Sequence, residues 1–310
     1  AALQYIYGAN MNTATGNDSY TLTDDGVIGT LWDAGGIDTI DSSTSTIGVS
    51  TNLNAGSYNQ AGNTIAVIAF NVTVENVIGS NYNDTLLGNY TSNSMHGLSG
   101  SDIIQGGGGS DTIYGGYGIV DPNDQSDLIW GGEGSDTIYS NAGDDSIYGG
   151  NPNGDSGDEA DLIYAGYGKD VIFGGDGNDS LYGGGGKADP NDVGDTIDAG
   201  SGDDYILANG GNDNINGSLG NDTMHGGLGD DNYIFAFGHG QDIILHFQGA
   251  GQVGGDTLTF FKSGGFDTAD SLLAKMTFAD QVAVFNLGEN SIITIQGLDV
   301  PLNVSDIVMA

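Results

Sequence analysis

The chain contains no cysteine and no arginine, and its basic residues number four, all lysine. The lack of cysteine excludes a disulfide framework and any thiolate metal site. The lack of basic charge excludes nucleic acid as a partner, because phosphate backbones are held by Lys and Arg. It excludes simple docking on anionic lipid for the same reason. Long apolar runs are missing too. The longest, Ile65-Ala66-Val67-Ile68-Ala69-Phe70, falls far short of the roughly 20 residues that cross a bilayer as a helix, so no transmembrane segment is expected. The chain opens on Ala1 without a signal peptide or an initiating Met and reads as a fragment or a processed form. Neither a G-x-S-x-G elbow nor a G-x-x-x-x-G-K-[ST] loop occurs.

Glycine and acid are abundant instead. Of 310 residues 57 are Gly and 42 are Asp or Glu, for a net charge of −38. Without a counter-ion such a charge opposes compaction. Between Gly79 and Asp242 both residue types follow a period of nine. The units include GLSGSDIIQ from Gly97, GGGGSDTIY, GGEGSDTIY, SNAGDDSIY, AGYGKDVIF, GGDGNDSLY, AGSGDDYIL, ANGGNDNIN, GSLGNDTMH and GGLGDDNYI. This is the nonapeptide G-G-x-G-x-D-x-U-x of calcium-binding parallel β-helices. Its glycines permit the positive φ of a tight turn. Its Asp offers the hard anionic oxygen that Ca²⁺ takes in sets of six to eight. The regular spacing fits metal binding better than paired-carboxylate acid–base chemistry. The final triplet is a short strand whose middle residue faces inward: Ile104, Ile113, Ile138, Ile147, Ile172, Leu181, Ile206, Ile215, Met224 or Tyr233. One unit cannot bury that residue alone, so units must stack.

These repeats resemble the RTX family, the haemolysin-type calcium-binding repeats. The resemblance implies an all-β fold: a right-handed parallel β-roll with two nonapeptides per turn and multiple Ca²⁺ ions along both edges. One edge would use Asp102, Asp127, Asp145, Asp170, Asp195, Asp213 and Asp231. The other would use Asp111, Asp136, Asp161, Asp179, Asp204, Asp222 and Asp242. The unit before Asp102 carries Asn93 in the aspartate place, which gives Asp102 the poorer neighbour. Units beginning at Gly115, Gly149 and Gly183 are lengthened to sixteen residues and start 34 apart. Their insertions, each with a proline, are expected as surface loops emerging on alternating edges.

A second resemblance covers most of residues 2–90. ALQYIYGANM, LWDAGGIDTID, TNLNAGSYN and NVTVENVIGSNYNDTLLGN are similar to the segment joining the protease domain of serralysin-type metalloproteases to their β-roll. It implies one calcium site at Asp33, Gly35 and Asp38 and another at Gly36, Asp38, Thr73 and Glu75. The arginine of that family's preceding loop falls on Ala14. The protease domain itself is absent. The histidines, His96, His225, His239 and His246, make no H-E-x-x-H motif. His96 and His225 hold the ninth position of repeats and are expected in turns.

Coarse elements complete the reading: a short helix over 1–10, strands over 64–70, 72–78 and 256–261, a helix over 267–276 capped by Asp or Thr, and a hairpin of 282–287 with 291–298. Three segments are expected: 1–78, serralysin-like and β-rich; 79–242, the calcium-binding roll; and 243–310, a β-rich cap. The end, Ser305-Asp306-Ile307-Val308-Met309-Ala310, resembles the uncleaved signal read by type I secretion machinery. The resulting reading is a secreted, non-catalytic protein, extracellular or on the cell surface of a bacterium. Its role would be structural, surface-layer or adhesive, with self-assembly or a cell-surface partner left open. The alternative is the separated C-terminal part of a serralysin-like metalloprotease. A third is an enzyme with an unrecognised site on the roll.

Overall fold

The computed structural model describes residues 14–25, 29–118, 123–151, 159–185, 193–236, 238–249, 255–261, 268–288 and 291–310. The helix expected over 1–10 lies outside them, as do Pro122, Pro152 and Pro190 of the insertions. The chain divides into two compact units, Ala1–Gly157 and Asp158–Ala310.

The first unit carries β1 (Ser19–Thr21), β2 (Gly29–Leu31), β3 (Thr39–Asp41), β4 (Val49–Asn52), β5 (Tyr58–Ala61), β6 (Thr64–Ile68) and β7 (Asn76–Ile78). It continues with β8 (Thr85–Leu87), β9 (Ser94–His96), β10 (Ile103–Gly108), β11 (Thr112–Tyr114), β12 (Leu128–Glu133), β13 (Thr137–Ala142) and β14 (Ser146–Tyr148). One sheet runs β1-β3-β7-β9-β11-β13 and the other β2-β6-β5-β4-β8-β10-β12-β14. From β7 on, successive strands alternate between the sheets, so one coil holds two nonapeptides. Residues stacked in neighbouring coils are 18 apart, or 25 apart where an insertion lengthens the coil. Parallel pairing is already present upstream, where β1, β3 and β7 stack; β4, β5 and β6 form an antiparallel meander. The strand expected over 64–70 ends at Ile68, and that over 72–78 is reduced to Asn76–Ile78. The cause is a turn at Asn71, whose φ is 63°, closed by Val72 N–H donating to Ala69 O.

The second unit carries β15 (Leu162–Tyr167), β16 (Val171–Asp176), β17 (Ser180–Gly184), β18 (Thr196–Ser201), β19 (Tyr205–Gly210), β20 (Asn214–Asn216), β21 (Thr223–Leu228) and β22 (Asn232–Phe235). Then come β23 (Gln241–Leu245), β24 (Thr257–Phe260), α1 (Ala269–Leu273), β25 (Met276–Ala279), β26 (Val282–Gly288), β27 (Ser291–Gln296) and β28 (Ile307–Met309). The sheet orders are β15-β17-β19-β21-β23-β27-β26-β25 and β16-β18-β20-β22-β24-β28. Parallel stacking outlasts the nonapeptide rhythm, because β23, β24, β27 and β28 all add to it. The expected hairpin is β26 with β27. The helix expected over 267–276 shortens to α1, with Thr268 and Ser271 closing a reciprocal cap. Met276 opens β25 instead and pairs with β26. Met-Thr-Phe suits a pleated surface, and pairing satisfies its backbone better than another helical turn would.

The alternation has one energetic purpose. Each middle residue is fully buried, including Ile104, Ile113, Ile138 and Ile147 in the first unit and Ile172, Leu181, Ile206, Ile215, Met224 and Tyr233 in the second. Ile129, Ile163 and Ile197, from the lengthened units, join them. The turns allow coils to approach closely. At Gly132 (φ 119°) a Cβ would strike the carbonyl oxygen of Gly107 in the neighbouring coil, so a side chain there is both strained and blocked.

Ile206→Ala should therefore lower stability by about 2–5 kcal/mol, the usual cost of a core cavity. Thr223→Ala, on the half-buried outer side of β21, should cost under about 1 kcal/mol. Thermal unfolding of both variants in saturating calcium checks the difference.

Candidate metal centres

Each nonapeptide Asp closes a turn and precedes a strand, so parallel register stacks it on the Asp of the neighbouring coil. In the first unit one ladder runs through Asp84, Asp102, Asp127 and Asp145. The backbone N–H of each donates to Oδ1 of the next at 2.8 Å. A second runs through Asn93, Asp111 and Asp136 at 2.7 Å. In the second unit Asp170, Asp195, Asp213 and Asp231 form one ladder, with distances of 2.8, 2.7 and 3.1 Å. Asp161, Asp179, Asp204, Asp222 and Asp242 form the other, at 2.8, 2.8, 3.0 and 3.1 Å. Asp161 and Asp195, where the second and third insertions rejoin the repeat, thus stand in different ladders. Every aspartate from Asp102 to Asp242 named here is 3% exposed or less.

Oδ1 is occupied by this bond, and Oδ2 decides what the ladder can do. In Asp102, Asp111 and Asp127, and in Asp204, Asp222 and Asp231, Oδ2 is buried and receives no hydrogen bond. Carbonyl oxygens stand beside it at several positions. Over the α-carbon of Gly106 stand Asp111 Oδ2 and the carbonyl oxygen of Gly131; over Gly97 stand Asp102 Oδ2 and Gly115 O. Over Gly174, in the second unit, stand Asp179 Oδ2 and Ala199 O. A buried anionic oxygen without a donor is unfavourable alone, and it is what a hard cation needs. The set contains neither sulfur nor imidazole, which fits calcium and not zinc.

Burial accordingly holds these carboxyls above their ordinary range: Asp127 up to about 9, Asp102 and Asp222 to about 8, Asp111 to about 7 and Asp204 to about 6. Desolvation is the largest cause in each. Neighbouring carboxylates add to it, Asp145 and Asp102 around Asp127 for example. A bound cation inverts this balance.

The first unit also gathers Asp18, Asp33 and Asp38, with one ligand oxygen from each lying within 4.8 Å of the others. Asp33 is committed internally, because Oδ1 accepts from Gly35 N–H at 2.8 Å and Oδ2 accepts from the Tyr20 hydroxyl. Asp38 is fully buried; Oδ1 accepts from Asp18 N–H at 2.9 Å, and Oδ2 receives no hydrogen bond. Burial first, then the Asp33 and Glu75 charges, push its carboxyl up to about 6. Glu75 meets this group by accepting Asp38 N–H at 2.8 Å. Gly35 and Gly36 make the positive-φ turn between the two carboxylates, whereas Thr73 is exposed. Sequence reasoning omits Asp18, although Gly16-Asn17-Asp18 repeats the Gly-Asn-Asp that closes array turns such as Gly220-Asn221-Asp222.

Other positions depart from expectation at the ladder ends. Asp102 follows Asp84 in its ladder; Asn93 precedes Asp111 instead, because the chain returns to one edge only every second unit. Asp84 has its oxygens filled by Ser80 N–H and Oγ and by Val49 N–H. Asp256, also beyond the expected set, stacks on Asp231 and accepts from Gln248 N–H at 2.8 Å. Asp242 Oδ2 faces His239, and Asp145 Oδ2 accepts from the Ser140 hydroxyl. His96 ends β9 and His225 lies within β21, so neither is in a turn. His96 stacks on Tyr114 with centroids 4.6 Å apart, and His225 meets His246 at 5.0 Å.

The RTX calcium-binding nonapeptide repeat (4 copies) matches at residues 74–104, 87–118, 122–151, 155–187, 191–224, 198–233 and 207–241, together half of the chain. Serralysin C of Dickeya chrysanthemi is 44% identical over 102 residues, an alignment covering 28% of this chain and 21% of that protein. Serralysin of Proteus mirabilis is 40% identical over 110 residues, covering 31% and 22%. The match thus spans about a fifth of each relative's length. Among solved structures, the extracellular lipase LipA from Serratia marcescens aligns over 81% of this chain and 45% of that chain, at 15% identity and a TM-score of 0.32; nothing about function follows at that score.

The raised carboxyls set a sign for pH. Without cation, the folded chain holds protons that the unfolded chain releases above about 3.8, so the contribution to stability is full below that value. It is lost as pH rises through about 7 at Asp111 and about 9 at Asp127. In chelator, compactness should therefore increase on acidification from pH 9 to pH 5. In saturating calcium the trend should reverse, since protons compete for the same oxygens. Circular dichroism across that range under both conditions reads the two slopes.

Proposed function

Because the chain belongs to the RTX calcium-binding nonapeptide repeat family, we propose that it is a secreted, non-catalytic protein whose β-roll folds on extracellular calcium after type I export. One observation carries this reading: the buried Oδ2 oxygens of Asp102 and Asp111 receive no hydrogen bond and stand beside carbonyl oxygens, Gly115 O and Gly131 O. Aspartates within the ladders, such as Asp102, Asp111, Asp127, Asp204 and Asp222, are the ligands, with turn carbonyls such as Gly131 O beside them. Asp38, with Asp18 and Asp33, forms a further centre in the first unit. Bound calcium supplies the positive charge that this chain lacks. The side chains do the rest: Oδ1 fixes the neighbouring coil, and Oδ2 waits in a dry position. Among the described residues no helix is long and apolar enough to cross a membrane. The acidic outer surface, without a catalytic motif, supports a structural, surface-layer or adhesive role outside the cell.

Identity to serralysins over about a hundred residues favours a second reading, in which the chain is the secretion and stability part of a serralysin-like metalloprotease. The encoding reading frame separates the two: a zinc motif upstream of Ala1 selects the protease.

Chelation tests the main reading. A single ion at 100 times its dissociation constant adds about 2.7 kcal/mol, so several together exceed the roughly 5–15 kcal/mol of an ordinary fold. Removing calcium should abolish the β-signal in circular dichroism; an unchanged spectrum refutes the proposal.

Position within a ladder should matter as well. Asp179 has ladder neighbours on both sides, Asp161 and Asp204. Asp102 has Asp127 on one side and the internally satisfied Asp84 on the other. Asp179→Ala should raise the midpoint of calcium-induced folding clearly more than Asp102→Ala.

A further inference from the structure

The ladder ends differ from their interiors. Inside, Oδ2 of Asp204 and Asp222 receives no hydrogen bond. At the ends the protein supplies donors: Ser80 to Asp84 in the first unit, Gln248 N–H to Asp256 in the second. Another end is Asp242, whose Oδ1 accepts from Asp222 N–H at 3.1 Å like other ladder members. Its Oδ2 lies 2.5 Å from Nδ1 of His239. His239 is 2% exposed and packs on Phe235 with ring centroids 5.1 Å apart. The contact is an ion-pair approach without hydrogen-bond alignment, and Nε2 has no partner.

The placement is unusual for the position. In Phe237-Gly238-His239-Gly240-Gln241-Asp242, His239 is the third residue of the turn. That residue is exposed in several other coils, as with Asp176, Leu219 and Leu228, and where it is buried it is small, as with Ser99 and Gly210. Here Gly238 takes φ 86°, its N–H donates to Ser291 Oγ at 2.9 Å, and the imidazole turns inward. The ring then fills the space before Oδ2 that an ion would otherwise need. An imidazole can present N–H there in its neutral or its protonated form.

We propose that Asp242 is not a calcium ligand and that the His239 imidazole replaces the last cation of this ladder. The inference rests on the calcium reading of the other ladder positions. It assigns the side chain a role as a built-in terminator: Asp222 and its predecessors bind the metal, and Asp242 closes the edge with protein alone.

Native mass spectrometry of the whole 310-residue chain in a calcium titration counts bound ions as integers. Wild type and Asp242→Ala should take up the same number. His239→Gly, which frees Oδ2, should take up one more. An ion lost in Asp242→Ala, or none gained in His239→Gly, overturns the assignment. Circular dichroism in saturating calcium checks that each variant folds, and His239→Asn, with the same gain expected, replaces His239→Gly if that variant does not. A wild type that binds no calcium overturns the calcium reading itself, which distinguishes that failure from this one.

Discussion

A dry carboxylate oxygen without a donor is the constraint on which this protein depends. Ladder aspartates such as Asp102, Asp127, Asp204 and Asp222 spend Oδ1 on the backbone N–H of the neighbouring coil and so set the spacing of the stack. Their Oδ2 is then buried without a hydrogen bond, and at Asp102 the carbonyl oxygen of Gly115 stands beside it. Four lysines in 310 residues cannot neutralise such a set, and none of the carboxylates can leave without breaking register. The missing charge has to come from solution. A fold of this kind is a polyanion with a scaffold for cations, and its stability is a property of protein and ion together.

The apolar column between the sheets serves the same arrangement. One Ile, Leu, Met or Tyr per nonapeptide is a thin core, and each contributes only the burial of a single side chain. Stacking makes the column continuous within each unit, and it fixes the coils in the register that aligns the aspartates. Outside, stacked rings such as His96 on Tyr114 and Tyr164 on Tyr182 follow the same parallel register. In-register pairing brings like residues together on every face, favourably for aromatics and unfavourably for carboxylates.

A solenoid must also end, and here the two units differ. The first opens with an antiparallel meander, β4 to β6, beside parallel strands that already share the later stacking. The second finishes with a hairpin and a C-terminal strand added to opposite sheets. At these places the carboxylates have protein partners. Ser80 and Gln248 donate to Asp84 and Asp256 there, and His239 stands against Asp242.

Much of this was legible from the residues alone. A period of nine with one apolar residue per strand identified the buried column, and the recurring Asp identified the ladders, because both signals are local and repeated. The position of Asn93 beneath Asp111 instead of Asp102 was not legible by adjacency; it follows from two units making one coil. Asp18 escaped notice because its partners are 15 and 20 residues away and its turn stands outside the array. The helix at 269–273 came out shorter than its pattern, since pairing with β26 claims the backbone from Met276 onward. His239 read as one more turn residue, and nothing in a Gly-His-Gly sequence says that the ring points inward. Composition and period thus determined a stacked, acidic, cation-requiring β-solenoid, since every copy of the repeat casts the same vote. Tertiary structure alone decided which oxygens remain without a donor, because that depends on what the chain brings back from far along its length to each single site.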